Sequence, residues 1–542
     1  MVIFIYNSLK GLGFIFSKIF SNNNNLSTDI YPLLSFPLIF IIVTNIHFFS
    51  KLYATINLSI LLIGFVIYAV KIEKKENFLI FFLILFLTIV QFIGHKVNED
   101  FGYYHLPYII NFVSDKIIFG LSHLSMVQGY NSAWLNVSSL FYLPYFFEKT
   151  IHLANSLIFF SISIYYISFI VKKDNSRKYP LSTLYALVAL IFFIVKNSRL
   201  NSYGVDVPGH IYASLVFFLF LNFLESKDYY LRKTLFYLIS LFSIFCILIK
   251  LSYIPLILFP IFCLFYEEKI LEKKFFFVCF ILGISWIFQQ VLYTSCIIFP
   301  IDFTCFSNLP WYSKTFINDA AFSLEYINKS YWVYEGSLSE REYVKNFNWV
   351  ITWFLRNKIE LGENILTFLI PLIFLIILGI KNKKREQKFI FKPEFLILTV
   401  PIILGFILWF LKAPVTRYGI FYINALIYLA LIFIFKELLL NNLTIKFAVI
   451  MISISIIFNF TKNFNRIINL EDYSEYPFPE IRKIIYKSTT IQNIKFNSPI
   501  SQGDTQSEVC WDTPVYCRTS TVDDLNIEKK MGYIIFTRKS NY

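Results

Sequence analysis

Charge is what this 542-residue chain has least of: 15% of its residues are Asp, Glu, Lys or Arg, against about 25% in soluble domains. Disorder is excluded with it, because disordered chains combine low hydrophobicity with high net charge and 57% of this chain is hydrophobic. Cysteine is scarce as well. Seven in the whole length are too few for a disulfide-built secreted scaffold. No GxGxxG or GxxxxGK[ST] segment occurs, which argues against nucleotide hydrolysis, and neither HExxH nor CxxC is present. The abundance of Phe and Tyr and the excess of Lys over Arg read as coding bias. What remains is a polytopic membrane protein.

An apolar run of about 17 to 25 residues crosses the hydrocarbon layer as a helix. Such runs lie near 31–49, 52–70, 77–94, 151–171, 179–195, 208–224, 234–249, 253–266, 275–294, 364–380, 395–411, 421–435 and 447–460. The expected fold is therefore an all-α polytopic membrane protein of about thirteen transmembrane helices, between roughly eleven and fourteen. Residues 1–20 carry Lys10 and Lys18 inside an apolar pattern with no small-residue cleavage site after it. That combination predicts a helix lying at the membrane surface rather than a cleaved signal peptide.

The formal charge of +14 looks like a nucleic-acid signature until the charges are placed. They cluster in KIEKKE (71–76), KKDNSRK (172–178), ESKDYYLRK (225–233), EEKILEKK (267–274) and KNKKREQK (381–388), which are alternate connections between runs. Lys and Arg accumulate in cytoplasmic loops. The expected topology has a cytoplasmic N-terminus and an external, periplasmic C-terminus in a bacterial cytoplasmic membrane, with membrane lipids and not nucleic acid as partners. The other face receives the long segments 95–150, 196–207, 295–363 and 412–420. The chain divides into a multi-pass domain, 1–460, and a less apolar external domain, 461–542, whose alternating stretches suit a small mixed α/β fold.

Cys296 and Cys305 share one external loop, and Cys510 and Cys517 share the tail. Two local pairs outside the cytosol are disulfide candidates, with reduced thiols as the alternative. Zinc would need further ligands, because CIIFPIDFTC and CWDTPVYC contain neither histidine nor a CxxC spacing.

The residues suited to chemistry sit at junctions between external loops and membrane helices. Glu99 and Asp100 lie just past a run and precede Tyr103, Tyr104 and His105. A carboxylate shielded at that depth has a raised pKa and serves as a general base. Asp206 stands before a helix start with Pro208 in the first turn, Lys250 at the turn in LIKLSYIPL, and Arg417 in KAPVTRYG. Two acids with cations at one membrane face suggest one site, able to activate a hydroxyl or hold a divalent metal (Mg or Mn) and to neutralise a phosphate. The competing reading of each acid is a solvated loop charge, of each cation a snorkelling side chain, and of His105 a hydrogen-bonded structural group. Trp311, Trp332, Trp349 and Trp353 are either an interfacial belt or a roof over the site.

The segments NEDFGYYHLP (98–107), GLSHL (120–124), GYNSAWL (129–135), SYGVDVPG (202–209), KLSYIP (250–255), FPIDFTCFSNLPW (299–311), APVTRYG (413–419) and GDTQSEVCWDTPVYC (503–517) resemble an uncharacterised family of bacterial polytopic membrane proteins. The acidic pair in a large first external loop resembles the C-type (GT-C) membrane glycosyltransferases. That resemblance implies inverting transfer of a sugar from a polyprenyl-phosphate donor to the hydroxyl of a glycan or lipid-linked acceptor, in cell-surface polysaccharide or glycoconjugate assembly. It implies Asp100 as general base and Glu99 as its supporting or metal-coordinating neighbour. It implies Asp206 as the second external acid and Arg417 and Lys250 as groups near the donor phosphate. Read from the residues themselves, His105, able to assist Asp100, and Tyr104 are substrate-binding candidates. The two extra helices placed before the acidic loop depart from the superfamily layout. A polysaccharide polymerase or ligase, a transporter or flippase, and a noncatalytic envelope-assembly protein are the alternatives. Uncharged helix centres and the lack of internal repeats weigh against a carrier.

Overall fold

The computed structural model describes residues 1–19, 26–72, 82, 85, 100–144, 150–172, 180–197, 204–267, 272–330, 336–381, 394–442, 445–469, 483–500, 509–518 and 525–539. Apart from Phe82 and Leu85, the expected run at 77–94 lies outside them, as do Glu99 and Trp332.

The chain is mostly helical. The helices that matter here are α1 (Val2–Ser17), α2 (Tyr31–Phe49), α3 (Ala54–Lys71), α4 (Leu106–Ser114), α5 (Ala133–Ser139), α6 (Leu153–Lys172), α7 (Leu181–Lys196) and α8 (Asp206–Glu225). They continue with α9 (Tyr229–Ile249), α10 (Leu258–Tyr266), α11 (Lys273–Thr294), α12 (Lys314–Ser330), α13 (Val350–Lys381), α14 (Glu394–Lys412), α15 (Thr416–Asn442) and α16 (Ile445–Asn469). Among the described residues, nine helices are long and apolar enough to cross a membrane, and four more are apolar but shorter. Apart from 77–94, each expected run coincides with a helix.

Helix α1, expected at the membrane surface, packs along α2 and α3. Ile5, Leu9, Leu12 and Phe16 recur at helical spacing and are all buried, and Lys10 is buried too, over the Tyr6 ring. Helix α13 begins at Val350, so residues 350–363 are helical. The described tail is not mixed α/β. After α16 it forms two antiparallel hairpins, β1 (Tyr486–Ile491) with β2 (Ile494–Pro499) and β3 (Leu525–Lys530) with β4 (Tyr533–Arg538).

The segment following residue 100 folds into the bundle. Tyr108 donates its hydroxyl to Asn136 Oδ1 at 2.8 Å, and Asn136 Nδ2 donates to Gln289 Oε1 at 2.7 Å and to Thr44 Oγ1 at 2.9 Å. These groups are buried, where an unpaired amide costs about 1–3 kcal/mol. Satisfying one another, they lock α4 and α5 onto α2 and α11.

Helix ends sort into two faces. At one, Arg232 pairs with Glu267 at 3.0 Å and Lys233 pairs with Glu272, joining the basic connections before α9 and after α10. The other face holds Asp206 at the start of α8, Lys250 at the end of α9 and Arg417 at the start of α15. Helix α8, 20 residues long and therefore about 30 Å, separates the two.

Candidate functional site

Each charged side chain of the second face is seated by local structure. Asp206 is the first residue of α8, where exposed N–H groups favour an anion, and Pro208, lacking an N–H, fits the first turn. Lys250 caps α9 in an extended conformation (φ −155°, ψ 122°) before a 3-10 turn over Leu251–Ile257. Arg417 enters α15 after a strapped-down loop. Trp409 Nε1 donates to Val415 O at 2.8 Å, Trp353 Nε1 donates to Pro414 O, and Thr416 Oγ1 donates to Asn357 Oδ1 at 2.9 Å. Gly419 lies directly against the Trp409 ring, where a Cβ would approach to 2.1 Å.

These elements bring four charges together. Arg417 Nη2 is 3.0 Å from Asp100 Oδ2, and its Nε is 3.1 Å from Asp206 Oδ2. Lys250 Nζ pairs with Asp206 Oδ1 and stands over the Tyr418 ring. Two acids and two cations therefore neutralise one another. The planar guanidinium bridges both carboxylates, a geometry a lysine ammonium does not reproduce. Asp206 and Lys250 are the better shielded, with side chains 23% and 18% exposed, against 29% for Asp100 and 41% for Arg417.

Residues Phe101–His105 form a π-helical turn immediately after Asp100. It presents Tyr103 outward and buries His105. Burial depresses His105 to about 4 against the opposing pull of Asp100 and Asp206, so the ring is neutral at neutral pH. Its Nε2 finds no hydrogen-bond partner among the described residues. Burial, reinforced by the Asp100 charge, raises the Tyr104 phenol well above its ordinary value. Lys250 is lowered to about 8, chiefly by burial and against the attraction of Asp206.

Asp100, Asp206, Lys250 and Arg417 are thus in one network, with Tyr104 and His105 inside its field. Trp349 and Trp353 pack against Phe410, Trp353 also meets Trp409, and Trp311 donates to Val291 O at 2.9 Å. Trp353 and Trp409 brace the loop that leads into Arg417. His123 Nε2 is engaged with Trp311 O at 2.8 Å. Sulfur–sulfur bonds join Cys296 to Cys305 and Cys510 to Cys517. Tyr418 was not singled out in the sequence, although it adjoins Arg417. Nor was Trp511, whose only signal is its place inside CWDTPVYC.

A divalent metal such as Mg or Mn requires convergent oxygen donors. Among the described residues no group of three His, Cys, Asp or Glu side chains converges, and Asp100 and Asp206 are both turned to Arg417. Glu99, the expected metal-coordinating neighbour, lies outside the described residues.

Residues 1–424 match the family described as a domain of unknown function, DUF8201. The chain belongs to the DUF8201 family. The matched residues contain all four charges of the site, so the network lies within the DUF8201 region, and the β hairpins of the tail lie beyond it. No curated protein and no solved structure matches the chain.

Proposed function

We propose that this protein is a GT-C-like membrane glycosyltransferase that moves a sugar from a polyprenyl-phosphate donor to an acceptor hydroxyl at the outer face of the bacterial cytoplasmic membrane. One observation carries the reading: Asp100, Asp206, Lys250 and Arg417, from four separate parts of the chain, form a single ion-pair network where helices end. A polyprenyl donor keeps its tail in the bilayer, so its phosphate reaches protein groups at that depth. The network lies on the face away from the basic connections, which is the external face by the excess of cytoplasmic Lys and Arg.

The resting network is charge-balanced, so the donor phosphate enters by exchange. It competes with the carboxylates for Arg417 and Lys250, and as Arg417 turns to the phosphate, Asp100 is released. The acceptor oxygen then attacks the anomeric carbon from the side opposite the phosphate. The anomeric C–O bond breaks, its electron pair leaves on the polyprenyl phosphate beside the two cations, and the hydroxyl proton passes to Asp100. Configuration inverts. Proton removal by a positioned base contributes about 10²–10⁴-fold to rate, and fixed cations stabilise the departing phosphate.

Purified protein in proteoliposomes containing a polyprenyl-phosphate sugar and an acceptor glycan tests the reading through release of polyprenyl phosphate. Turnover by the parent, lost in Asp100→Asn with an unchanged melting temperature, is the expected result. Turnover that persists in Asp100→Asn removes Asp100 as the base.

A further inference from the structure

We propose that Trp511, carried by the disulfide-closed loop of the C-terminal tail, is a positioning residue for the ion-pair site. It holds the Phe101–His105 turn, and through that turn it sets how Asp100, Tyr104 and His105 meet Arg417. The inference concerns the site read above as a transferase centre and rests on that reading for its kinetic part only.

The contact begins with a backbone deficit. In the π turn, Leu106 N–H donates to Phe101 O. The corresponding donor for Gly102 O would come from residue 107, which is proline and has no N–H. A buried carbonyl needs a partner, and Trp511 N–H supplies it at 2.9 Å. The ring follows the backbone. A Cβ on Gly102 would stand 2.2 Å from Trp511 Cε2, so the indole lies directly against the turn. Phe101 meets it edge-on with ring centroids 5.5 Å apart. Trp511, Phe101, Leu106, Ile109 and Ile151 form a small core of their own, separate from the main one.

The loop that delivers the indole is held on both sides. Cys510 is bonded to Cys517, closing the segment onto itself. Asn497 of β2 donates to Pro514 O at 3.0 Å, and Tyr516 donates its hydroxyl to Asp115 at the end of α4. Strand β4 is tied to the same external segment, Phe119 N–H donating to Ile534 O and Phe536 N–H to Phe119 O, each at 2.9 Å. Trp511 is therefore clamped to the turn from a module that is itself fastened to the segment following the turn. Asp100 is the residue immediately before the turn, and it has one foot on this clamp and the other on Arg417.

The test uses the full-length protein in nanodiscs and proteoliposomes, with Trp511→Ala, Trp511→Phe and, as a second perturbation from the turn's side, Gly102→Ala. Hydrogen exchange of the 101–106 amides is expected to rise by about tenfold or more in Trp511→Ala, while peptides covering 207–215 and 418–425 stay unchanged. With a polyprenyl-phosphate sugar, kcat falls by about a hundredfold, the scale of a small misplacement of a catalytic group. KM for the donor does not rise, because Lys250 and Arg417 are not on the turn and a loosened Asp100 competes less for Arg417. Trp511→Phe recovers most of both effects. Should Trp511→Ala fail to fold, Gly102→Ala is expected to reproduce the same pattern. The Trp511 N–H bond to Gly102 O is a backbone bond that all three variants keep, so the exchange reads the indole, and unchanged exchange at 101–106 overturns its hold on the turn. Faster exchange with parental kcat overturns the positioning role. A parent with no donor turnover removes the transferase reading, and exchange at 101–106 then decides the clamp by itself.

Discussion

Arg417 and Asp100, separated by 317 residues in the chain, meet through Nη2 and Oδ2 at 3.0 Å, and the same guanidinium reaches Asp206 through Nε at 3.1 Å. One side chain therefore joins the turn after residue 100 to the start of α8. Replacing it by lysine keeps the charge and removes the fork. Arg417→Lys is expected to weaken donor binding by about tenfold or more, the scale of a lost charge-assisted hydrogen bond. Arg417→Gln is expected to weaken it further, since both carboxylates lose their shared cation. Donor retention measured by native mass spectrometry checks the order; equal retention by the parent and both variants refutes the phosphate role.

Lys250 gives two pH dependences of opposite sign. Its ammonium holds phosphate only while protonated, so donor affinity is expected to fall as pH rises through about 8. For stability, the folded value of about 8 lies below the ordinary 10.5, so the unfolded chain binds more protons between them. Unfolding free energy attributable to Lys250 therefore rises with pH across that window and is lost as pH falls through about 8. Lys250→Met should flatten both profiles. A donor-binding profile that keeps its inflection in Lys250→Met assigns it to another group.

His105 makes stability pH-dependent in the acid range. It is held neutral by burial, with a folded value of about 4 against the ordinary 6.5, so the stability it contributes is complete above 6.5 and declines as pH falls through about 4. Thermal melts from pH 7 to pH 4 are expected to fall more steeply for the parent than for His105→Gln. Parallel curves would show that burial of this ring does not couple to folding.

Gly419 tests the seat of Arg417 without touching a charge. A Cβ there would meet the Trp409 ring at 2.1 Å, and overpacking of this kind costs about 1–3 kcal/mol. Gly419→Ala is expected to lower the melting temperature and to impair donor binding together. Trp409→Phe in the same background should relieve part of both.

The tail docks on the face that carries the network. A reporter fused after Tyr542 is therefore expected to read external, and Cys510 and Cys517 are expected to resist alkylation until a reductant is added. A cytoplasmic reading would invert the orientation and move the site to the inner face.

The sequence alone determined where the long apolar helices lie and which residues could act. Bilayer thickness imposes a minimum apolar length on any crossing helix, and that length is a local property. The runs at 31–49, 208–224 and 275–294 are accordingly recovered as α2, α8 and α11. Scarcity of charge made Asp100, Asp206, Lys250 and Arg417 visible before any fold was known. Only the tertiary structure decided their pairing, because which helix end faces which depends on packing between segments hundreds of residues apart. The same is true of α1, whose apolar period does not say what it packs against, and of Trp511. Its partner is a carbonyl that Pro107 leaves without a helical donor, some four hundred residues earlier in the chain.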